Sequence, residues 1–245
     1  MRKCIFYMML IMLLVVGRSA FANTNQLAAE VFLGESYNYL NPGNLVFLGG
    51  EIDKLVPNDS NHHDFSPGFG FTYTVPVNVR CLDSLRFAVD VIWLNRKQQG
   101  VVQQFMDPQF DNYFYTLKVD TTRLMFNGQL VFASWWNKIF PFIELGVGGA
   151  HMATSYNEQP NISEGIVSGH LKLASHIQYN FVYAGGAGFI IPVTKHFNTT
   201  LAYQFTDFGH IRTENFSGVQ QVHFEPIDAR FYANTVYLKF SYLFN

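Results

Sequence analysis

Charge is scarce in this chain. Asp, Glu, Lys and Arg make up 14% of its 245 residues, against about 25% in an ordinary soluble domain. A basic excess is also missing, with 16 Lys and Arg against 18 Asp and Glu and a pI near 6.4, so the chain has no surplus to neutralise phosphates and nucleic acid is excluded as a partner. There are two cysteines. Cys4 falls in an N-terminal apolar run, which leaves Cys81 alone and rules out an internal disulfide framework. Beyond that run, long apolar segments are lacking. The longest uncharged stretch, 173–194, is broken by Ser175, His176, Gln178, Asn180, Gly185, Gly186, Gly188 and Pro192, so it does not read as a membrane-spanning helix. Phosphate-binding loops, zinc-helix motifs and nucleophile elbows are absent as well.

The N-terminus has the three parts of a secretory signal: Arg2 and Lys3, an apolar run over 4–16, and Ala20-Phe21-Ala22 as a small-x-small cleavage site. Cleavage after Ala22 is expected, since the run is shorter than the roughly 20 residues a spanning helix needs. The mature chain would be 23–245, with thirteen basic and eighteen acidic residues.

Aromatic residues are abundant, at 17%, yet mean hydropathy is only +0.06. Apolar and polar residues must therefore be interleaved. Phe197, Thr199, Leu201, Tyr203 and Phe205 alternate with Asn198, Thr200, Ala202, Gln204 and Thr206, and Val236, Leu238, Phe240, Tyr242 and Phe244 with Tyr237, Lys239 and Ser241. This is the strand period. Similar alternation covers 69–77, 85–93, 123–132, 143–150 and 181–191, and a poorer segment, 45–52, completes eight candidates; 23–43 is left outside them, as a short helix, an extra strand or a disordered lead. The connections run long, short, long, short, long, short, long: 53–66, 78–84, 95–112, 134–138, 157–175, 193–196 and 212–230.

Short turns at one rim and long loops at the other are the pattern of an outer-membrane barrel, with the short turns periplasmic. A sheet facing lipid has to close, because an open edge leaves amides unpaired in hydrocarbon. The predicted fold is an all-β, eight-stranded antiparallel up-and-down barrel over 44–245. Two aromatic girdles are expected: Trp135, Trp136, Phe140, Phe142, Phe197, Tyr242 and Phe244 at the periplasmic rim, and Tyr113, Tyr115, Tyr156, Tyr179, Phe208 and Tyr232 at the outer one.

The strand phases point Glu51, Arg86, Asp90, Arg123, Glu144 and Lys239 inward, three acids and three bases. An eight-stranded barrel is just wide enough for side chains to fill, so these charges are expected to pair in a lumen network, with Gly146, Gly148, Gly186 and Gly188 leaving room for them. The partner of Glu144 is left open. By the same phases, an arginine at the lipid-facing Leu201 should be worse than one at the inward Thr200. His62-His63-Asp64 invites a metal reading, but adjacent strand residues face opposite ways and no metal is expected. Asp207 with His210, or His151 with Ser155, are conceivable hydrolase parts without an orienting group or oxyanion donor.

Three stretches carry a resemblance: PFIELGVGGAHMATSY (141–156), NFVYAGGAGFIIPVTKHFNTTLAYQFTDFG (180–209) and VYLKFSYLF (236–244). With them the chain resembles the small outer-membrane barrels of the opacity and OmpA/OmpX type. The last stretch is similar to the signal read by the barrel-insertion machinery, departing from it at Asn245 and Lys239. The resemblance implies a Gram-negative outer-membrane protein, monomeric, non-enzymatic and without a cofactor. Its long outward loops would serve a structural or surface-interaction role. The partners implied are outer-membrane lipid and lipopolysaccharide, the insertion machinery, and an extracellular ligand or host surface. The alternatives are a narrow channel for small or apolar solutes and a lipid-modifying enzyme.

Overall fold

Alternation of apolar and polar side chains produces strands here because it lets one face meet lipid while the other fills an interior. The computed structural model describes residues 25–46, 51–58, 62–134, 138–162, 171–216 and 225–244. The signal segment and Trp135, Trp136 and Asn137 lie outside the described residues. Ten strands are present: β1 (Gln26–Asn41), β2 (Asn44–Val46), β3 (Ile52–Pro57), β4 (His62–Val79), β5 (Leu82–Gln103), β6 (Asp111–Phe132), β7 (Phe140–Pro160), β8 (His176–Pro192), β9 (Phe197–Arg212) and β10 (Asp228–Phe244). Eight of them form an antiparallel ring, β4 to β10 each pairing with the next along the chain, β1 pairing with β4 across the intervening β2 and β3, and β10 returning to β1 to close it.

The first wall strand is not the one predicted. Of the predicted segment 45–52, residues 47–50 lie outside the described residues, and Leu45, Val46 and Ile52 belong to β2 and β3, which form a small hairpin with β3 pairing to the upper end of β5. The wall strand is β1, from the segment set aside as an extension, so the barrel starts at Gln26 rather than at 44. Its outward residues Leu27, Val31, Leu33 and Tyr39 are exposed, as alternation requires. Phe32 and Leu40 obscure that pattern, because they point inward and are buried, turning Val31-Phe32-Leu33 into a run without a period.

The other seven strands lie where alternation places them but run further. They are 16 to 22 residues long, whereas about 9 to 11 suffice to cross a bilayer. Above Trp93 both faces of β5 are polar, through Asn95, Arg96, Lys97, Gln98 and Gln99. A strand standing in water on its outer face has no apolar stripe to reveal it. The connection predicted as 95–112 thus shrinks to 104–110, no longer than the one at 133–139. Among the described residues the lower rim is formed by 80–81, 133–134, 138–139 and 193–196, and the upper by the β2–β3 hairpin, 104–110, 161–162, 171–175, 213–216 and 225–227. Pro160, expected in a loop, ends β7 opposite Tyr113 at that upper rim.

Around the lower two thirds of the wall runs an outward belt of exposed apolar side chains, among them Val31, Phe71, Val89, Phe126, Leu145, Phe189, Leu201 and Val236. Such continuous apolar surface exceeds what a water-soluble monomer exposes. At the lower rim Phe197, Tyr242 and Phe244 form an aromatic cluster, with ring centroids 5.1 Å and 5.3 Å apart. Four residues predicted for the girdles are elsewhere. Phe142, Tyr115, Tyr156 and Phe208 point inward and are buried; near the rims an aromatic fills the lumen as readily as it lines the wall.

Candidate functional site

The interior has two layers. The lower one is ionic and polar. Lys239 on β10 sits at its centre, Nζ 2.8 Å from Glu30 Oε2 and 3.6 Å from Asp90 Oδ2, with the rings of Phe32 and Tyr237 5.0 Å and 5.6 Å away. Glu30 and Asp90 belong to β1 and β5, and both are in register with Gly70 on the strand between. A Cβ on Gly70 would lie on the Asp90 carboxylate, so only glycine leaves space for the two acids to converge on one ammonium. Ser241 Oγ donates to Glu30 Oε1 at 2.9 Å and Asn127 Nδ2 to Asp90 Oδ2 at 2.8 Å.

Glu144 and Arg123 are joined through amides rather than paired with one another. Gln204 Nε2 donates to Glu144 Oε1 at 3.0 Å while its Oε1 accepts from Arg123 Nη2 at 2.8 Å. Glu144 also accepts from Tyr237 Oη at 2.9 Å and Gln129 Nε2 at 3.0 Å, and Arg123 donates to the Thr206 hydroxyl. Gly186 supplies the volume: a Cβ there would stand 2.8 Å from Glu144 Oε1. Arg86 faces inward, in register with Thr74 and Gln129, and makes no ion pair among the described residues.

Of the six residues predicted for the lumen, five lie in it and Glu51 does not. Glu51 precedes β3 in the upper hairpin and is exposed, because the segment carrying it is not part of the wall. Glu30 takes the third acidic place, so three acids still face three bases. Glu30 was missed with its strand; Gln129, Gln204 and Tyr237 were missed because a neutral donor in an inward phase looks like any other polar residue.

The upper layer is apolar and largely supplied by the connections. Leu45 and Leu55 from the hairpin, Leu171 and Leu173 before β8, and Ile227 before β10 pack onto inward Leu117, Met152, Tyr156, Val182, Phe208 and Phe231. Backbone bonds hold these segments down: Glu158 N–H to the Leu171 carbonyl at 2.7 Å, Leu173 N–H to Tyr156 at 3.1 Å, and Thr213 N–H to Ile227 at 3.1 Å.

Glu158, near the upper end of β7, is buried in this layer. Burial pushes its carboxyl up to about 7, with Asp53 nearby acting in the same direction, against the bonds from Tyr156 and the Leu171 N–H. The protonated acid is therefore the form the fold favours. Its contribution is full below the ordinary value of 4.5 and is lost as pH rises through about 7. Amide protection at Leu171 and Leu173, measured by hydrogen exchange, is expected to fall across that window. Glu158→Gln should flatten the dependence; an unchanged pH profile in that variant would remove Glu158 as its origin.

The other sequence candidates are dispersed. His63 faces outward and pairs with Glu35 at 3.0 Å, while Asp64 turns inward to Asn38 and Arg96. Asp207 bonds Tyr183 and Arg230, each at 2.6 Å, and His210 bonds Asp228 instead. His151 lies edge-on to Tyr179. No group of three or more His, Cys, Asp or Glu able to hold a metal occurs among the described residues.

The closed ring, its apolar belt and its filled lumen define an outer-membrane β-barrel, and solved structures of that class share the fold. Outer membrane protein OprG from Pseudomonas aeruginosa is 16% identical with a TM-score of 0.50, covering 93% of this chain and 99% of its own. The outer membrane protease OmpT from Escherichia coli is 8% identical at 0.52, covering 91% and 99%. Neisserial surface protein A is 11% identical at 0.45, covering 89% and 98%. No protein-family profile and no curated sequence matches the chain.

Proposed function

We propose that this chain is a closed, non-enzymatic barrel of the outer membrane that works as a structural and surface-interaction protein, exported with a cleaved signal and monomeric. The observation that carries this is the interior. Among the described residues an ionic and amide layer occupies the lower lumen and loop-borne leucines pack into the upper, which supports a barrel that is closed rather than open to ions. Outer-leaflet lipid, lipopolysaccharide included, is the partner in contact with the belt; the insertion machinery acts during assembly, and a ligand outside the cell would meet the upper connections. Purified protein in planar bilayers is expected to conduct little. Large, steady conductance would replace this reading with a channel, and a mass change in lipid A on expression would replace it with an enzyme.

The orientation has its own test. Asn58 and Phe216 are exposed at the upper rim and Cys81 at the lower. On intact cells an impermeant thiol reagent is expected to label Asn58→Cys and Phe216→Cys in a Cys81→Ser background, and to leave the wild-type Cys81 unlabelled. The reverse pattern would invert the topology.

A further inference from the structure

Above the belt the wall parts between β8 and β9. Their ladder ends at Tyr183 opposite Asp207, yet β8 starts at His176 and β9 continues to Arg212, so seven residues of one strand and five of the other face each other without backbone pairing. The parting is built, not frayed. Asn180 Nδ2 donates to the carbonyls of Phe208 at 2.7 Å and His210 at 2.6 Å, Gln178 Nε2 donates to the latter at 2.6 Å, and Gln178 Oε1 accepts from the Arg212 N–H at 2.8 Å. Gly209, at a φ of 76°, lets β9 swing away, and the register with β10 shifts at Phe231 and Tyr232.

Between the strands lies a shallow cleft, open to the outside, of about 430 Å³, within the size range of small-ligand clefts. It is lined by His176, Gln178, Asn180, Phe181, His210 and Arg212, with the backbone of Gly209. Each histidine is fixed at Nδ1 by a carboxylate, His176 by Glu214 at 2.8 Å and His210 by Asp228 at 2.6 Å, and Asp228 also accepts from Arg212 Nε at 2.9 Å. One guanidinium beside two carboxylates does not select a phosphate. The amide N–H groups are spent on the bridge between the strands, so what the lining offers a ligand is the second nitrogen of each imidazole, the outer guanidinium nitrogens of Arg212 and amide oxygen lone pairs, a mix of donors and acceptors that suits hydroxyl groups. Beside the cleft the outward face of β8 is apolar: Ile177, Tyr179 and Phe181 are 58%, 79% and 71% exposed.

We propose that this notch binds the saccharide head of an acylated glycolipid in the outer leaflet, with acyl chains lying along the outward face of β8. The inference rests on the reading that the upper rim faces out of the cell, and it adds to that reading a site, a ligand class and a direction of approach from the side.

The test uses the full chain in lipid nanodiscs, with binding read by native mass spectrometry. The probes are a purified deep-rough lipopolysaccharide, its de-acylated oligosaccharide, and phosphatidylglycerol. Wild type is expected to retain the lipopolysaccharide in preference to both others. Paired His210→Ala and Arg212→Ala changes, which remove exposed side chains and leave the backbone pairing of β9 with β10, should weaken retention about tenfold, as two lost hydrogen bonds would. Phe181→Ser should weaken it too, and serves if the paired variant loses the heat-modifiable migration of a folded barrel. Retention unchanged in a folded variant would overturn the site. Equal binding of the free oligosaccharide would overturn the lipid-borne ligand, and equal binding of phosphatidylglycerol the saccharide. Failure of the orientation itself would show separately, as inverted thiol labelling.

Discussion

Replacing Lys239 by methionine is expected to lower the stability of the barrel by about 3 to 5 kcal/mol, the range found when one member of a buried ion pair is removed. The cause is the strandedness of two carboxylates: Glu30 and Asp90 both rely on this ammonium, at 2.8 Å and 3.6 Å, and all three groups are buried. Methionine fits the space between Phe32 and Tyr237, so lost volume contributes little. Adding Glu30→Gln should recover part of the loss, because replacing charges on both sides of a buried pair is far cheaper than removing one. The measurement is the urea midpoint followed by heat-modifiable migration. A midpoint unchanged in Lys239→Met would dissolve the ionic layer as a source of stability, whatever the lumen conducts.

Leu201→Arg is expected to abolish assembly. Leu201 is outward and half exposed, in register with Phe189 and Leu238, which are outward and apolar too. An arginine near the bilayer midplane of a barrel costs about 2 to 4 kcal/mol. The neighbouring Thr200→Arg, expected from the sequence to be the milder change, is not a mild control. Thr200 is buried and stands in register with Lys239, so the new cation meets an existing one in a closed interior. The two defects differ in remedy: Lys239→Met should relieve Thr200→Arg by removing the repulsion and should leave Leu201→Arg as it is. Normal yields of folded Leu201→Arg protein would contradict the lipid-facing phase of β9.

Those two neighbours show what period-two alternation conveys. It reports which face a residue takes, and it did so for Leu201, Val236 and Phe126 because lipid on one side and a filled lumen on the other impose opposite preferences at every step. It says nothing of what stands across the lumen, which depends on register around the ring; hence Glu144 was placed inward without its partners Gln204 and Tyr237. It also fails where one side of the wall is water. The upper half of β5 carries polar residues on both faces, that of β6 reverses the pattern, with Leu117 and Val119 inside and Lys118 and Asp120 outside, and β1 carries Phe32 and Leu40 on its inner face, so none of these separates inside from outside by the lipid-facing rule. Glu51 was misplaced for that reason alone: a hairpin of alternating residues above the membrane, β2 and β3, obeys the same period as a wall strand. The notch between β8 and β9 was not legible at all, since its signal is backbone pairing that stops while both strands continue.

The ring closes by joining its ends, Leu27 opposite Phe244 through Asn41 opposite Arg230. That arrangement sets an order of events. Six of the eight seams join consecutive strands and can zip from local hairpins, and a seventh, β1 with β4, spans only the small β2–β3 hairpin, whereas the eighth must wait until β10 has been delivered. Lys239 and Glu30 are 209 positions apart, so their ammonium and carboxylate meet only in that concluding step. Until then the acid of β1 has no cation from β10 to hold it, and the half-made sheet keeps two open edges. A chain cut short before β10 would thus forfeit more than one strand in eight: it would lose both the seam and the ion that makes the interior tolerable, and would leave a sheet with no closed form to reach.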